Sequence, residues 1–321
     1  LPFIFLFFAF RASLQGAGDT KTAMWLMILS AGLNVVIDPF FILGWGPFPA
    51  MGTRGAAWAT FLARGAAVVA GLYVLLIGGF GVRLRPGDLW PDVETLRRLV
   101  ALGYPATIDG WARSFAAVVM AALVAPFGTA AIAAYGIGVR LMSVSWTVAG
   151  AAGQATATGV GQNLGANTPD RSRRVTHVAT GGTMAVLFAV GAACALVPEF
   201  FLGVFIDDPD VIAEGTAFLQ ITAPFWAFFG GTMVVQGAFR GAGQTKVAMV
   251  LSFLSRWVFR VPIALVLAFS ALPIPGTAFV LDVGPSVGVA GVWIAYAVGS
   301  FLSFLVAVAW FRRGRWTEGV V

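Results

Sequence analysis

Residues 14–43 read LQGAGDTKTAMWLMILSAGLNVVIDPFFIL. Between Thr22 and Leu43 only Asp38 carries a charge. An apolar run of about 20 residues is the length a helix needs to cross the hydrocarbon of a bilayer. The Gly-Ala-Gly-Asp-Thr-Lys cluster before it marks a turn. Glycine permits the tight backbone, Thr can cap the next helix, and Lys anchors at lipid headgroups. Seven more runs of spanning length lie near 55–79, 99–125, 129–163, 175–198, 214–239, 247–272 and 287–311, and a half-length run occupies 1–10. The fold expected is an all-α polytopic membrane protein with about eight full spans plus a partial one. The run at 129–163 is long and glycine-rich, so a bend or an extension past the bilayer is expected there.

Composition agrees. Of the 321 residues, 59% are hydrophobic and 11% charged, against roughly 25% charged in a soluble domain, and mean hydropathy is +0.88. A soluble protein of this size could not cover its surface with so few charges, whereas lipid-facing helices need no such cover. The single Cys194 excludes a disulfide within the chain, and the single His177 excludes a multi-histidine metal site. The sequence opens on Leu1, already inside an apolar run that reads as the tail of a helix. The expectation is a chain without its natural N-terminus, to which no signal peptide can be assigned.

Charge placement orients the spans. Cytoplasmic loops are enriched in Lys and Arg. If 1–10 runs inward, the cytoplasmic side holds Arg11 and Lys21, then Arg83, Arg85, Arg97 and Arg98, then Arg171, Arg173 and Arg174, then Arg240 and Lys246, and finally Arg312, Arg313 and Arg315 in the tail. Of the other basic residues only Arg54 falls in an outer loop, and the outer loops carry Glu199, Asp207, Asp208, Asp210, Glu214 and Asp282. A multi-pass plasma (inner) membrane protein with a cytoplasmic C-terminus is expected. The net charge of +6 then reflects topology, and no nucleic-acid partner is inferred from it.

The turn recurs. Gly16-Ala17-Gly18-Asp19-Thr20-Lys21 is matched by Gly241-Ala242-Gly243-Gln244-Thr245-Lys246, and Gly52-x-x-Gly55 with Ala59 by Gly288-x-x-Gly291 with Ala295. An even number of spans separates the copies, so the repeat is parallel and its unit is six helices; internal repeats of this kind mark secondary transporters. The expected organisation is 1–80 as the C-terminal part of an N-lobe (the end of helix 4, then helices 5 and 6), 81–98 as a cytoplasmic linker, 99–311 as a C-lobe (helices 7 to 12) and 312–321 as a cytoplasmic tail. Three helices and part of a fourth would lie upstream. Neither the repeated turn nor Gly159-Val160-Gly161-Gln162-Asn163-Leu164-Gly165 has phosphate-loop or dinucleotide spacing; the latter reads as a helix end.

Two acids, Asp38 and Asp109, lie within spans. Charge at bilayer depth is costly and usually faces a cavity or a partner. Asn34 and Asp38 are four apart and share a helix face, and Pro39 removes a backbone donor beside them. A carboxylate, an amide oxygen and a hydroxyl from Thr60 on the next span would suit a small hard cation. A carboxyl among apolar groups could carry a proton instead, or the Asn–Asp pair could serve only to hold helices together. Asp109 precedes Arg113 by four residues. An intrahelical ion pair that lowers the burial penalty is the favoured reading there, with a substrate or ion contact as the other. Arg256 and Arg260 share a face and could pair with Asp109, with an acid outside this sequence, or with headgroups by snorkelling; Arg64 could do the same.

Several of these segments together resemble the multidrug and toxic compound extrusion family: residues 14–21, Asn34 to Pro39, Gly55-Ala56-Ala57-Trp58-Ala59-Thr60, residues 161–165 and residues 237–243. The resemblance covers essentially the whole chain. It implies two six-helix lobes around a central cavity, and export of cationic or amphiphilic drugs in exchange for sodium ions or protons, with no other cofactor and no enzymatic reaction. It further implies an N-lobe cation site of an Asp on the first helix with an Asn, an Asp and a Thr on the fifth and sixth. Asn34, Asp38 and Thr60 match the last three; the first-helix Asp has no counterpart in this sequence. Other branches place coupling acids on the seventh and tenth helices. Asp109 answers to the first of these, but the run at 214–239 offers only Glu214 at its edge, so coupling in the N-lobe is expected. The partners implied are drug-like cations and the lipid bilayer, and the working form a monomer. Alternatives are a lipid-linked-oligosaccharide flippase, which would show a more strongly cationic cavity, a non-transporting scaffold, and an intramembrane enzyme, for which no catalytic constellation is found. A fragment of this extent is expected to be inactive alone.

Overall fold

A computed structural model describes residues 2–16, 18–47, 49–77, 92–273, 280–282, 286–314 and 316. Most of the expected linker (81–91, with Arg83 and Arg85) and most of the tail (Arg315 and 317–321) lie outside the described residues, as does Ala17. Among the described residues, eight helices are long and apolar enough to cross a membrane, and they fall where the eight apolar runs lie. The chain divides into two compact units, Leu1–Leu96 and Arg97–Val321.

The first unit holds α1 (Pro2–Gly16), α2 (Thr20–Ile42) and α3 (Thr53–Ile77). Asp19 caps α2 by accepting a hydrogen bond from the Thr22 amide at 3.0 Å. Phe10 and Leu14 of α1, Ala23 and Leu26 of α2, and Val68 of α3 form its small core. Where α3 begins, Gly55 presses on the end of α2: a Cβ there would stand 2.1 Å from the Phe41 carbonyl oxygen. Only glycine permits that approach.

The second unit carries α4 (Val93–Val124), which starts just before the boundary, α5 (Thr129–Gly165), α6 (Pro169–Leu196), short α7 (Pro198–Gly203), α8 (Pro209–Thr222), α9 (Trp226–Gly241), α10 (Thr245–Phe253), α11 (Val261–Ala268) and α12 (Val289–Arg312). Asp92 opens α4, accepting from the Thr95 hydroxyl at 2.5 Å and from the amides of Thr95 and Glu94 at 3.1 and 3.2 Å. Those bonds hold its carboxyl below the usual carboxylate range. Helix α9 packs against α5, α6 and α12, and α11 packs against α12. Small residues set the α5–α9 contact: a Cβ at Gly237 would meet the Gly153 oxygen at 2.1 Å, and one at Gly241 the Ala157 oxygen at 2.2 Å. Within membranes, where lipid is as apolar as a leucine side chain, such close backbone packing is a main source of helix association. One core gathers Tyr135, Phe218 and Trp293, with Tyr135 stacked on Trp293 and Phe218 edge-on to it at 4.8 Å. A second gathers Val160, Phe239, Phe311 and Trp316.

The repeated turn is repeated in space. Gly18 and Gly243 both have positive φ, 89° and 74°. In each copy the glycine amide bonds back three residues (Gly18 to the Gln15 oxygen, Gly243 to that of Arg240), and the next amide bonds back five (Asp19 to Leu14, Gln244 to Phe239). This is a Schellman helix end. Asn167, at φ 57°, closes α5 by the same pattern, with Asn167 bonding to Leu164 and Thr168 to Asn163, so residues 159–165 are indeed a helix end. The second glycine pair repeats as well: Gly291 presses on the end of α11 as Gly55 does on α2, and Ala59 and Ala295 are both fully buried.

Three features depart from simple spans. The sixth run is two helices, α8 and α9, joined by a 3-10 turn at Ala223–Phe225, where Pro224 lacks an amide donor. The seventh carries a π-helical segment, Leu254–Arg260, between α10 and α11. Beyond α11 a short antiparallel pair, β1 (Ala271–Pro273) and β2 (Val280–Asp282), leads toward α12. By contrast the long run at 129–163 forms one continuous helix, α5.

Candidate functional site

In the first unit, the Asn34 side-chain amide donates to a carboxylate oxygen of Asp38 at 3.2 Å, one turn along α2. Both are partly buried. The helix runs through Pro39, whose carbonyl accepts the Leu43 amide at the helix end. Asn34 and Thr60 face a common cavity of about 350 Å³, shared with Ser30, Arg11 and Arg64; Asp38, a turn further on, is not among its lining residues. The Thr60 hydroxyl is turned back on its own helix, donating to the Ala56 carbonyl at 2.9 Å. The structure thus joins Asn34 to Asp38 by a hydrogen bond and to Thr60 by a shared cavity. Among the described residues Asp38 forms no ion pair.

Asp109, in the second unit, has the opposite surroundings. Its side chain is buried, and Arg113, one turn on, reaches Oδ2 at 2.7 Å. Arg240 at the end of α9 stands 3.6 Å from the same oxygen, and Arg256 from the π-helical segment 3.9 Å from Oδ1. Three helical elements therefore converge on one carboxylate. Charge pairing inside a low-dielectric interior offsets the cost of burying each ion alone. Among the described residues, Oδ1 receives no hydrogen bond.

Beside this cluster lies a cavity of about 430 Å³, walled by α4, α5, α9, the π-helical segment and α12. Its polar lining includes Arg113, Arg256, Arg260, Tyr135 and Tyr296. The two tyrosine hydroxyls are 2.8 Å apart, and the Arg260 guanidinium lies 4.1 Å from the centre of the Tyr296 ring, within cation–π range. The rest is apolar and aromatic, including Met120, Trp146, Phe229 and Met233.

The MatE family model matches residues 105–266, half of the chain. That segment runs from α4 to α11 and so contains Asp109 and most of the cavity wall. The chain belongs to the MatE family. By the length and composition of its described helices, it is a multi-pass membrane protein. Among its relatives are a probable multidrug resistance protein NorM of Thermotoga maritima, 29% identical over 97% of this chain, and a probable multidrug resistance protein YoeA of Bacillus subtilis, 27% identical over 97% of it. The chain spans 64% and 65% of the length of those two MatE relatives. Its fold is that of a MATE protein crystallised in complex with MaL6, at a TM-score of 0.85 and 22% identity, covering 98% of this chain and 67% of that one.

Sequence reasoning placed Arg240 in a loop and gave it no partner, yet it contributes to the Asp109 cluster. No spacing rule links residues 131 positions apart, and only the packing of α4 against its neighbours brings them together. Arg256 had been offered Asp109 as one partner of several, and the structure makes that contact; Arg260 takes the Tyr296 ring instead. The cavity itself had no sequence signature.

Proposed function

We propose that this chain belongs to a secondary antiporter that exports cationic or amphiphilic drugs, driven by sodium ions or protons that bind at Asp38 and enter as the drug leaves. Family membership and relatives named as multidrug resistance proteins support export. The contrast between the two intramembrane acids supports the assignment of the ion site. Three guanidiniums already hold Asp109, whereas among the described residues Asp38 has the Asn34 amide as its partner and no cation against it. A carboxylate at bilayer depth without a fixed counter-ion is suited to one that comes and goes. Asn34 would orient the Asp38 carboxylate, and Thr60 would join them by turning its hydroxyl away from Ala56. The two units would be parts of two lobes that rock between inward- and outward-facing states, in a monomer of the plasma membrane with its basic loops and C-terminus in the cytoplasm. Asp109 and Arg113 would act as a structural pair at the edge of the substrate cavity. Coupling requires that ion and drug prefer different states.

The arginine-lined cavity favours a second reading, a flippase of lipid-linked oligosaccharides. Its volume, about 430 Å³, suits a drug-sized body and is small for an oligosaccharide, which keeps drug export in front. The test is efflux of an amphiphilic dye from liposomes holding the full-length protein, with sodium and pH gradients imposed separately. Efflux is expected to accelerate under one of the two gradients. A rate indifferent to both would remove the antiport mechanism.

A further inference from the structure

We infer that the cavity of the second unit binds an amphiphile with an anionic headgroup — a carboxylate, sulfonate or phosphate ester on an apolar body. This goes beyond the reading of Asp38 and does not depend on it. Among the described residues, Arg113, Arg256 and Arg260 line the cavity and no acidic side chain does. The acid behind the wall, Asp109, is shared among Arg113, Arg240 and Arg256. Arg260 has the face of Tyr296, and among the described residues its buried Nε has no hydrogen-bond partner. Three guanidiniums thus share one carboxylate, and a fourth, that of Arg260, stands on the Tyr296 ring in the same cavity, in helices of membrane-spanning length.

Excess positive charge at that depth is costly until an anion neutralises it. Guanidinium groups suit the task, because their planar fork of donors matches the oxygens of a carboxylate, sulfonate or phosphate. The π-helical segment delivers two of them. The Val261 amide bonds to the Arg256 carbonyl, five residues back, and in such a wide turn residues four apart stay on nearly the same side; Arg256 and Arg260 both reach the cavity. In the same cavity, Met120, Trp146, Phe229 and Met233 offer an apolar wall for the ligand's body. A cationic ligand would have to sit against three like charges.

The experiment compares three probes of one shape by calorimetry, on full-length protein in nanodiscs of zwitterionic lipid: naphthalene-2-sulfonate, 2-naphthalenemethanol and 2-naphthylmethylammonium. The sulfonate is expected to bind at least ~10-fold more tightly than the alcohol, and the ammonium more weakly than either. Arg260→Gln should cut sulfonate affinity about 10-fold and leave the alcohol unchanged. Arg260→Lys, which keeps the charge, should retain sulfonate binding. Arg260 is the substitution to make because it lies outside the Asp109 pairs, so its loss leaves that cluster intact. Wild-type protein that binds all three probes equally, or prefers the ammonium, overturns the inference, as does an Arg260→Gln protein with native sulfonate affinity. Nanodiscs containing phosphatidylglycerol identify the source of the natural ligand: competition with the sulfonate assigns the cavity to an anionic lipid, and undiminished sulfonate binding to a soluble amphiphile. The calorimetry is run at equilibrium with no ion gradient, so failure of the ion-coupling reading would leave this result standing.

Discussion

Replacing Asp109 with alanine is expected to destabilise the protein by about 3 kcal/mol, the lower end of the cost of breaking a buried ion pair. The carboxylate is 6% exposed and serves three arginines. Arg113 and Arg240, at 45% and 37% exposure, can turn toward water or headgroups once it is gone. Arg256, at 11%, cannot. Its guanidinium keeps one bond, to the Ser252 carbonyl at 3.0 Å, and loses its counter-charge. The damage should therefore concentrate where α4 meets the π-helical segment, a junction also held by the Trp257 indole donating to the Ala112 carbonyl at 3.3 Å. The measurement is apparent unfolding temperature in detergent, followed by tryptophan fluorescence. Adding Arg256→Met to Asp109→Ala should recover much of the loss, because an apolar side chain of similar length carries no burial penalty for charge. A native unfolding temperature for Asp109→Ala alone would show that the arginines never relied on this carboxylate.

Asp38→Asn is expected to reduce ion-driven export by at least ~10-fold while leaving the fold intact, since a gradient can act only through a group with differential affinity for its ion in two states. The amide matches the carboxylate in shape and can still accept from Asn34, so stability and folded yield should remain near native. What disappears is the negative charge. Asp38→Glu keeps that charge and should retain partial coupling, weakened by the extra methylene. Dye efflux from liposomes under the driving gradient reads the effect directly. An Asp38→Asn protein that exports at the native rate would falsify the role given to this carboxylate.

Much of the fold was legible because the bilayer imposes a simple length rule on apolar runs, and each of the eight runs became a helix or a pair of helices. The repeated turn was legible for a similar reason: only glycine adopts the positive φ of Gly18 and Gly243 at no cost. What escaped was set by tertiary packing. Nothing in Leu254–Arg260 distinguishes a π-helical turn from an α-helical one, and Pro224 breaks the sixth run while Pro39 and Pro105 sit inside continuous helices. At the candidate site, local pairs four residues apart, Asn34–Asp38 and Asp109–Arg113, could be read from helical spacing. The contacts of Arg240 and Arg256 with Asp109 join α4 to distant helices; spacing gives no sign of the first and leaves the second as one of several alternatives.

Labelling with dicyclohexylcarbodiimide, read residue by residue by mass spectrometry, addresses the division between the two acids most directly. The reagent enters membranes and modifies carboxyls there. Asp38 should be labelled, with protection by the driving ion, while Asp109, clasped by its arginines, should stay unmodified. Labelling of Asp109 with Asp38 untouched, or modification of Asp38 that the driving ion leaves unchanged, would contradict the account.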